Sequence, residues 1–142
     1  MDTRFKIFLR PEGTVKPVIS YGVDSIYETI VLEESKTLTF DVDLDAGPHT
    51  FILELNNKSN DTPDMAVIIE SVEFEGISTD RMKWAGMYYP TYPEPWASTQ
   101  TNLEHVVRCS TYLGWNGRWE LPFTTPIFRW IHQTENLGWI YD

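Results

Sequence analysis

The sequence predicts an all-β protein: an antiparallel jelly-roll β-sandwich followed by an aromatic, proline-rich C-terminal extension or small β-subdomain. Three observations carry this. Several segments alternate apolar and polar residues with a period of two, the spacing of a strand that turns one face to a core. Turn-forming residues punctuate those segments at short, regular intervals, as in sandwiches. No stretch before Gly76 shows the helical period.

The elements follow in order. Residues 4–10 (RFKIFLR) set Phe5, Ile7 and Leu9 against Lys6 and Phe8 and read as the first strand. Pro11, Glu12 and Gly13 form a turn. Residues 15–21 carry Pro17, which has no backbone N–H to donate, so they read as an edge strand or extended segment. Residues 26–32 are β-branched and aromatic. Residues 36–44 alternate Leu38, Phe40, Val42 and Leu44 against Thr37, Thr39, Asp41 and Asp43, and residues 45–48 (DAGP) turn the chain. Residues 49–55 place Phe51, Leu53 and Leu55 on one face. Residues 56–64 (NNKSNDTPD) hold no apolar side chain except Pro63 and must be a surface loop. Residues 65–77 lose their alternation near Ser71 and Val72, which predicts a bulge or burial on both faces.

Beyond Gly76 the texture changes. Residues 82–89 (MKWAGMYY) read as a last strand. Pro90, Pro93 and Pro95 keep residues 90–96 extended. Residues 99–108 are the one helix the pattern offers, with Thr101 and Glu104 spaced as a capping box. Asn116-Gly117 signals a tight turn, placing Trp115 and Trp119 across a hairpin. Residues 128–131 then read as a strand pairing with residues 139–141. The expected division is a sandwich at 1–80 and the extension at 81–142.

Composition sharpens that division. The net charge is −10, from 11 basic and 21 acidic residues. It excludes the basic footprint of a nucleic-acid binder and opposes an anionic membrane surface. The first 75 residues hold 15 acids and 6 bases, whereas the rest hold 6 and 5. Aromatics run the other way, with 7 and then 13, and every tryptophan lies from Trp84 onward. The single cysteine, Cys109, cannot form an intrachain disulfide. The N-terminal residues do not read as a signal peptide.

No catalytic set emerges. His49, His105, His132 and Cys109 show no nucleophile, base and orienting group in a recognisable context. There is no zinc cluster and no phosphate loop. The sequence therefore predicts no enzyme. Its informative excess is aromatic, since such rings stack on sugars or anchor protein contacts. The candidates for a partner or glycan contact are Tyr88, Tyr89, Tyr92, Trp96, Trp115, Trp119 and Trp139.

The stretch around His49, Thr50, Asn56, Asn57, Asp64, Glu70, Val72 and Gly76 resembles the calcium-dependent, xylan-binding type of carbohydrate-binding module. That resemblance implies a sandwich, a glycan ligand and calcium as cofactor, with Asn56, Asn57, Asp61, Asp64 and Glu70 as its oxygen donors. The chain as a whole, through YLGWNGRWELPF and TPIFRWIHQTENLGWIYD, looks like the small β-sandwich proteins encoded by tailed bacteriophages. This second resemblance implies a structural protein of the virion head, neck or tail. It would be made in the host cytoplasm and contact other virion proteins or copies of itself through its C-terminal half. The alternative expectation is a calcium-assisted glycan-binding module used in host-surface adhesion.

Overall fold

The computed structural model describes residues 2–92 and 96–135. Its strands are β1 (Asp2–Glu12), β2 (Val18–Val23), β3 (Glu28–Val31), β4 (Lys36–Asp43), β5 (Gly47–Leu55), β6 (Ala66–Phe74), β7 (Ile77–Ser78), β8 (Met87–Pro90), β9 (Val107–Arg108), β10 (Tyr112–Leu113) and β11 (Gly117–Thr125). The described residues also form two short α-helices, α1 (Asp80–Trp84) and α2 (Ile127–Thr134). One sheet runs β10-β6-β1-β4, with β7 beside β6; the other runs β3-β2-β5-β11-β8-β9. All pairings are antiparallel, and the two sheets pack as a jelly-roll sandwich. No helix among the described residues is long and apolar enough to cross a membrane.

The predicted alternation becomes the core. Phe5, Ile7 and Leu9 of β1, Leu38 and Phe40 of β4, and Phe51, Leu53 and Leu55 of β5 are all buried. Phe5 sits at the centre of a ring cluster, stacked on Phe40 at 4.6 Å and Phe74 at 5.1 Å, with Phe51 edge-on at 6.0 Å. Each such ring contributes about 2–3 kcal/mol by leaving water. The slip foreseen in β6 is a bulge: Phe8 pairs with Ser71 and Leu9 with Ile69, so Glu70 has no opposite residue.

The second half departs from expectation, beginning with the division at residue 80. β11 lies between β5 and β8, pairs with all nine residues of β5, and sends Trp119, Leu121 and Phe123 into the same core as Phe51 and Phe74. Residues 117–125 are therefore part of the sandwich and not an appendage to it.

Four local readings are corrected with it. Residues 82–89 are not one strand: Thr79 caps a helical turn through Met82 N–H (3.3 Å), and the chain extends again only after Gly86. Residues 99–108 are not helical, because their β-branched residues favour extension; a single turn at Ala97–Thr99 precedes β9. Residues 128–131 belong to α2, where Ile127, Trp130 and Ile131 form one buried stripe at helical spacing; their expected partners, residues 139–141, lie outside the described residues. Finally, β2 is interior and β3 is the edge strand, since Pro17 falls just before β2 begins.

Candidate functional site

The fold brings the asparagine-rich loop at residues 56–64 against the turn at residues 114–116. Asn116 makes the join. Its side-chain oxygen accepts from Lys58 N–H at 2.8 Å, and its amide donates to Lys58 C=O at 2.8 Å, so the carboxamide imitates a paired backbone peptide. Its own carbonyl accepts from Thr91 N–H at 2.6 Å, tying in the end of β8. Beneath the turn, the buried Tyr88 hydroxyl donates to Trp115 C=O and accepts from Trp115 N–H at 3.0 Å. Burial pushes the Tyr88 pKa up to about 12, so the hydroxyl holds its proton at any ordinary pH.

Three rings gather on this support. Trp96 and Trp115 stack at 5.6 Å with planes 21° apart. Tyr92 meets Trp96 at 5.9 Å and Trp115 edge-on at 6.3 Å. Trp96 is exposed, at 41% of its accessible area, while Tyr92 and Trp115 are half-buried. The Lys58 ammonium lies 5.0 Å from the Trp115 ring centre and donates to Gly114 C=O. Burial pulls the Lys58 pKa below the usual lysine value, against the opposing pull of Asp64. A cavity of about 130 Å³ opens between Lys58, Asn60, Tyr92, Trp115 and Asn116. Flat rings with ammonium, amide and hydroxyl groups at their margin suit a ligand that has both an apolar face and hydroxyls.

The other sequence-predicted contacts fall elsewhere. Trp119 is fully buried, with its indole N–H on Ser110 C=O at 2.9 Å, so it is a core residue. Tyr88 is the buried strut already described. Tyr89, on the opposite side of β8, is half-buried, and its hydroxyl meets the Met87 sulfur at 3.9 Å. Trp115 and Trp119 do not face each other across a hairpin: Trp119 sits opposite Leu53 and Tyr88, and the preceding strand, β10, belongs to the other sheet. Trp139 lies outside the described residues.

The five proposed calcium donors do not converge. Asn57 accepts from Val18 N–H at 2.8 Å and donates to Lys16 C=O at 3.2 Å, pinning the loop to β2. Asn56 donates to the Ser20 hydroxyl at 3.3 Å. Asp64 accepts from both the N–H and the hydroxyl of Thr14 at 3.1 Å, and these bonds hold its carboxyl below the usual range. Asp61 is exposed in a turn closed by Ser59 and Thr62. Glu70, the bulge residue, faces Arg10 at 3.7 Å on the other sheet. No three His, Cys, Asp or Glu side chains among the described residues cluster as metal ligands. Calcium takes six to eight oxygens, and these five residues, four of them tied to separate partners and Asp61 exposed, do not fit it as a set.

Candidate catalytic groups are likewise dispersed. His105 and Cys109 share no helix, and Cys109 is exposed in a turn. His49 is clamped: Nδ1 faces Asp24 Oδ2 and Nε2 faces Asp45 C=O, each at 2.7 Å. Residues the sequence reading passed over, Lys58, Thr91 and Asn116, turn out to build the site. The only written signal was Asn116-Gly117, which read as a turn when the asparagine is in fact a brace.

No known family model and no curated protein sequence matches this chain. Two solved structures share its fold. One, described as vCBM60 in complex with galactobiose, superposes with a TM-score of 0.56 at 14% identity, over 83% of this chain and 96% of that chain. The other is the selenomethionine form of vCBM60, described in terms of a circular permutation linking two families of calcium-dependent carbohydrate-binding modules; it gives a TM-score of 0.57 at 12% identity, over 84% and 89% of the two chains. The class defined is thus a β-sandwich with the fold of a carbohydrate-binding module.

Proposed function

We propose that this chain is a non-catalytic glycan-binding module and that sugar rings dock on Tyr92, Trp96 and Trp115. One observation carries the reading: a stacked, solvent-facing ring cluster flanked by Lys58 and Asn116, on a sandwich of this fold. The apolar face of a sugar stacks on indole while its hydroxyls meet the polar margin. The galactobiose held by one structural neighbour makes galacto-oligosaccharides the first ligands to try.

Calcium dependence rests on the description of the neighbours and on the sequence resemblance. Asn56, Asn57 and Asp64 brace the loop with their side-chain oxygens or amides, and Glu70 faces Arg10, so the sugar contact proposed here is made by the rings and their polar margin. The virion reading needed a surplus of rings for a neighbouring subunit. Trp119 and Trp130 lie instead in this chain's own core, and among the described rings outside it only Tyr92, Trp96 and Trp115 gather into a cluster, while Tyr27, Trp84, Tyr112 and Phe128 are exposed outside that cluster. That arrangement favours a small ligand over assembly.

The test is calorimetric titration of the protein with galacto- and xylo-oligosaccharides, beside Trp115→Ala. Binding in the micromolar to millimolar range that Trp115→Ala weakens at least tenfold supports the reading. Absence of heat from both series, or equal binding by the variant, removes it.

A further inference from the structure

The ring cluster does not stand alone. Thr91 and Asn116, which wall its small cavity, also wall a larger depression of about 450 Å³ on the outer face of the six-stranded sheet. The floor of this second depression is built on strands. Glu54 of β5, Arg118 of β11 and Tyr89 of β8 stand side by side in register. Their neighbours Leu53, Leu55, Trp119 and Tyr88 point into the core, so the alternation turns these three outward.

The chemistry of that floor is specific. Arg118 donates to Glu54 Oε1 from Nε at 2.9 Å and from Nη2 at 2.5 Å. The pair thus uses one carboxylate oxygen and one edge of the guanidinium. Among the described residues, Glu54 Oε2 and Arg118 Nη1 take no further partner, and the Tyr89 hydroxyl has only a weak sulfur contact. Acceptor, donor and hydroxyl lie next to one another, on rigid strands, without net charge. Gly117 lines the second depression where β11 meets β8. A Cβ there would stand 2.4 Å from Tyr89 C=O and 2.8 Å from Pro90 Cα, forcing β11 and β8 apart at the shared wall.

We infer that this depression is a second sugar subsite, and that the ligand is a neutral oligosaccharide running from the ring cluster onto the Glu54–Arg118–Tyr89 face. The inference rests on the glycan-binding reading and extends it. A charge-balanced acceptor and donor pair fits vicinal hydroxyls, each of which donates and accepts. It gives no surplus cation for a uronate, and a chain of net charge −10 repels one.

Calorimetry on the full chain distinguishes the possibilities, with galacto- and xylo-oligosaccharides of two and five units and an oligogalacturonate of five. The wild type is expected to bind the five-unit neutral sugar about tenfold more tightly than the two-unit one, and the oligogalacturonate more weakly than either. Arg118→Ala is expected to bring the ratio of long to short affinity close to one. The paired change Glu54→Gln with Arg118→Gln, which leaves no unpaired charge, is expected to do the same, and thermal melting confirms that both variants fold. Length-independent binding by the wild type overturns this inference and leaves the first subsite standing. So does an unchanged ratio in folded variants, or a preference for the uronate. No heat with any sugar overturns both readings together.

Discussion

Asn116→Ala is the most informative single perturbation. The asparagine contributes two side-chain hydrogen bonds of 2.8 Å to the partly buried backbone of Lys58. A hydrogen bond of this kind contributes about 1 kcal/mol net, so the pair contributes roughly 2 kcal/mol. For a chain of 142 residues that loss lowers the melting temperature by roughly 7 °C, given an unfolding entropy of about 2 cal/mol/K per residue. The second consequence is local. Without the brace, Lys58 and Gly114 lose their alignment, and the Trp96–Trp115 stack loses its base. Thermal melting by far-UV circular dichroism reads the first effect, and near-UV ellipticity of the tryptophans reads the second. Asn116→Asp keeps the acceptor for Lys58 N–H but sets an anion against Lys58 C=O, so it falls below the wild type as well. An Asn116→Ala protein that melts within about 1 °C of the wild type, with its near-UV spectrum intact, refutes the reasoning.

Three further outcomes are expected. Gly86→Ala puts a methyl group within 2.2–2.5 Å of the buried Trp119 indole; overpacking of this kind costs about 1–3 kcal/mol or more, read as a lower urea midpoint, and an unchanged midpoint contradicts the packing described. His49 faces acceptors at both ring nitrogens, first the Asp45 carbonyl and then the Asp24 carboxylate, which raises its pKa above 6.5. Its contribution to stability is therefore complete below pH 6.5 and disappears as pH rises through the raised value, so the melting-temperature gap between wild type and His49→Gln narrows on going alkaline; a gap that widens sinks the assignment. Asp64→Asn removes the charged tie to Thr14 and lowers the melting temperature equally in calcium and in chelator; a loss confined to calcium-containing buffer makes Asp64 a metal ligand after all.

Much of the first half was legible because one-sided burial writes itself as alternation. β1, β4 and β5 each carry that period, and the missed beat in β6 marked a true bulge. β11 was harder. Pro122 argues against a sheet interior, yet β8 pairs only as far as Glu120, so the proline stands where β11 has open space on that side. In α2 the spacing of Ile127, Trp130 and Ile131 was present, but aromatic and β-branched residues favour strands when read one at a time. The site was half legible. The sequence put Tyr88 and Trp119 beside Tyr92, Trp96 and Trp115 as contacts, whereas the fold gathers the last three and buries the first two. The meeting of Lys58 with Asn116, 58 positions apart, could not be seen, because it depends on β11 pairing with β5, two strands far apart in the chain.

In the proposed function Trp96 and Trp115 are the sugar platform, while Trp119 is core. Each indole N–H gives its own proton–nitrogen NMR signal, so one titration with galacto-oligosaccharide tests this directly. The signals of Trp96 and Trp115 should move together and saturate while that of Trp119 stays in place. Immobile signals at Trp96 and Trp115, or a response centred on exposed Trp84, would contradict the account.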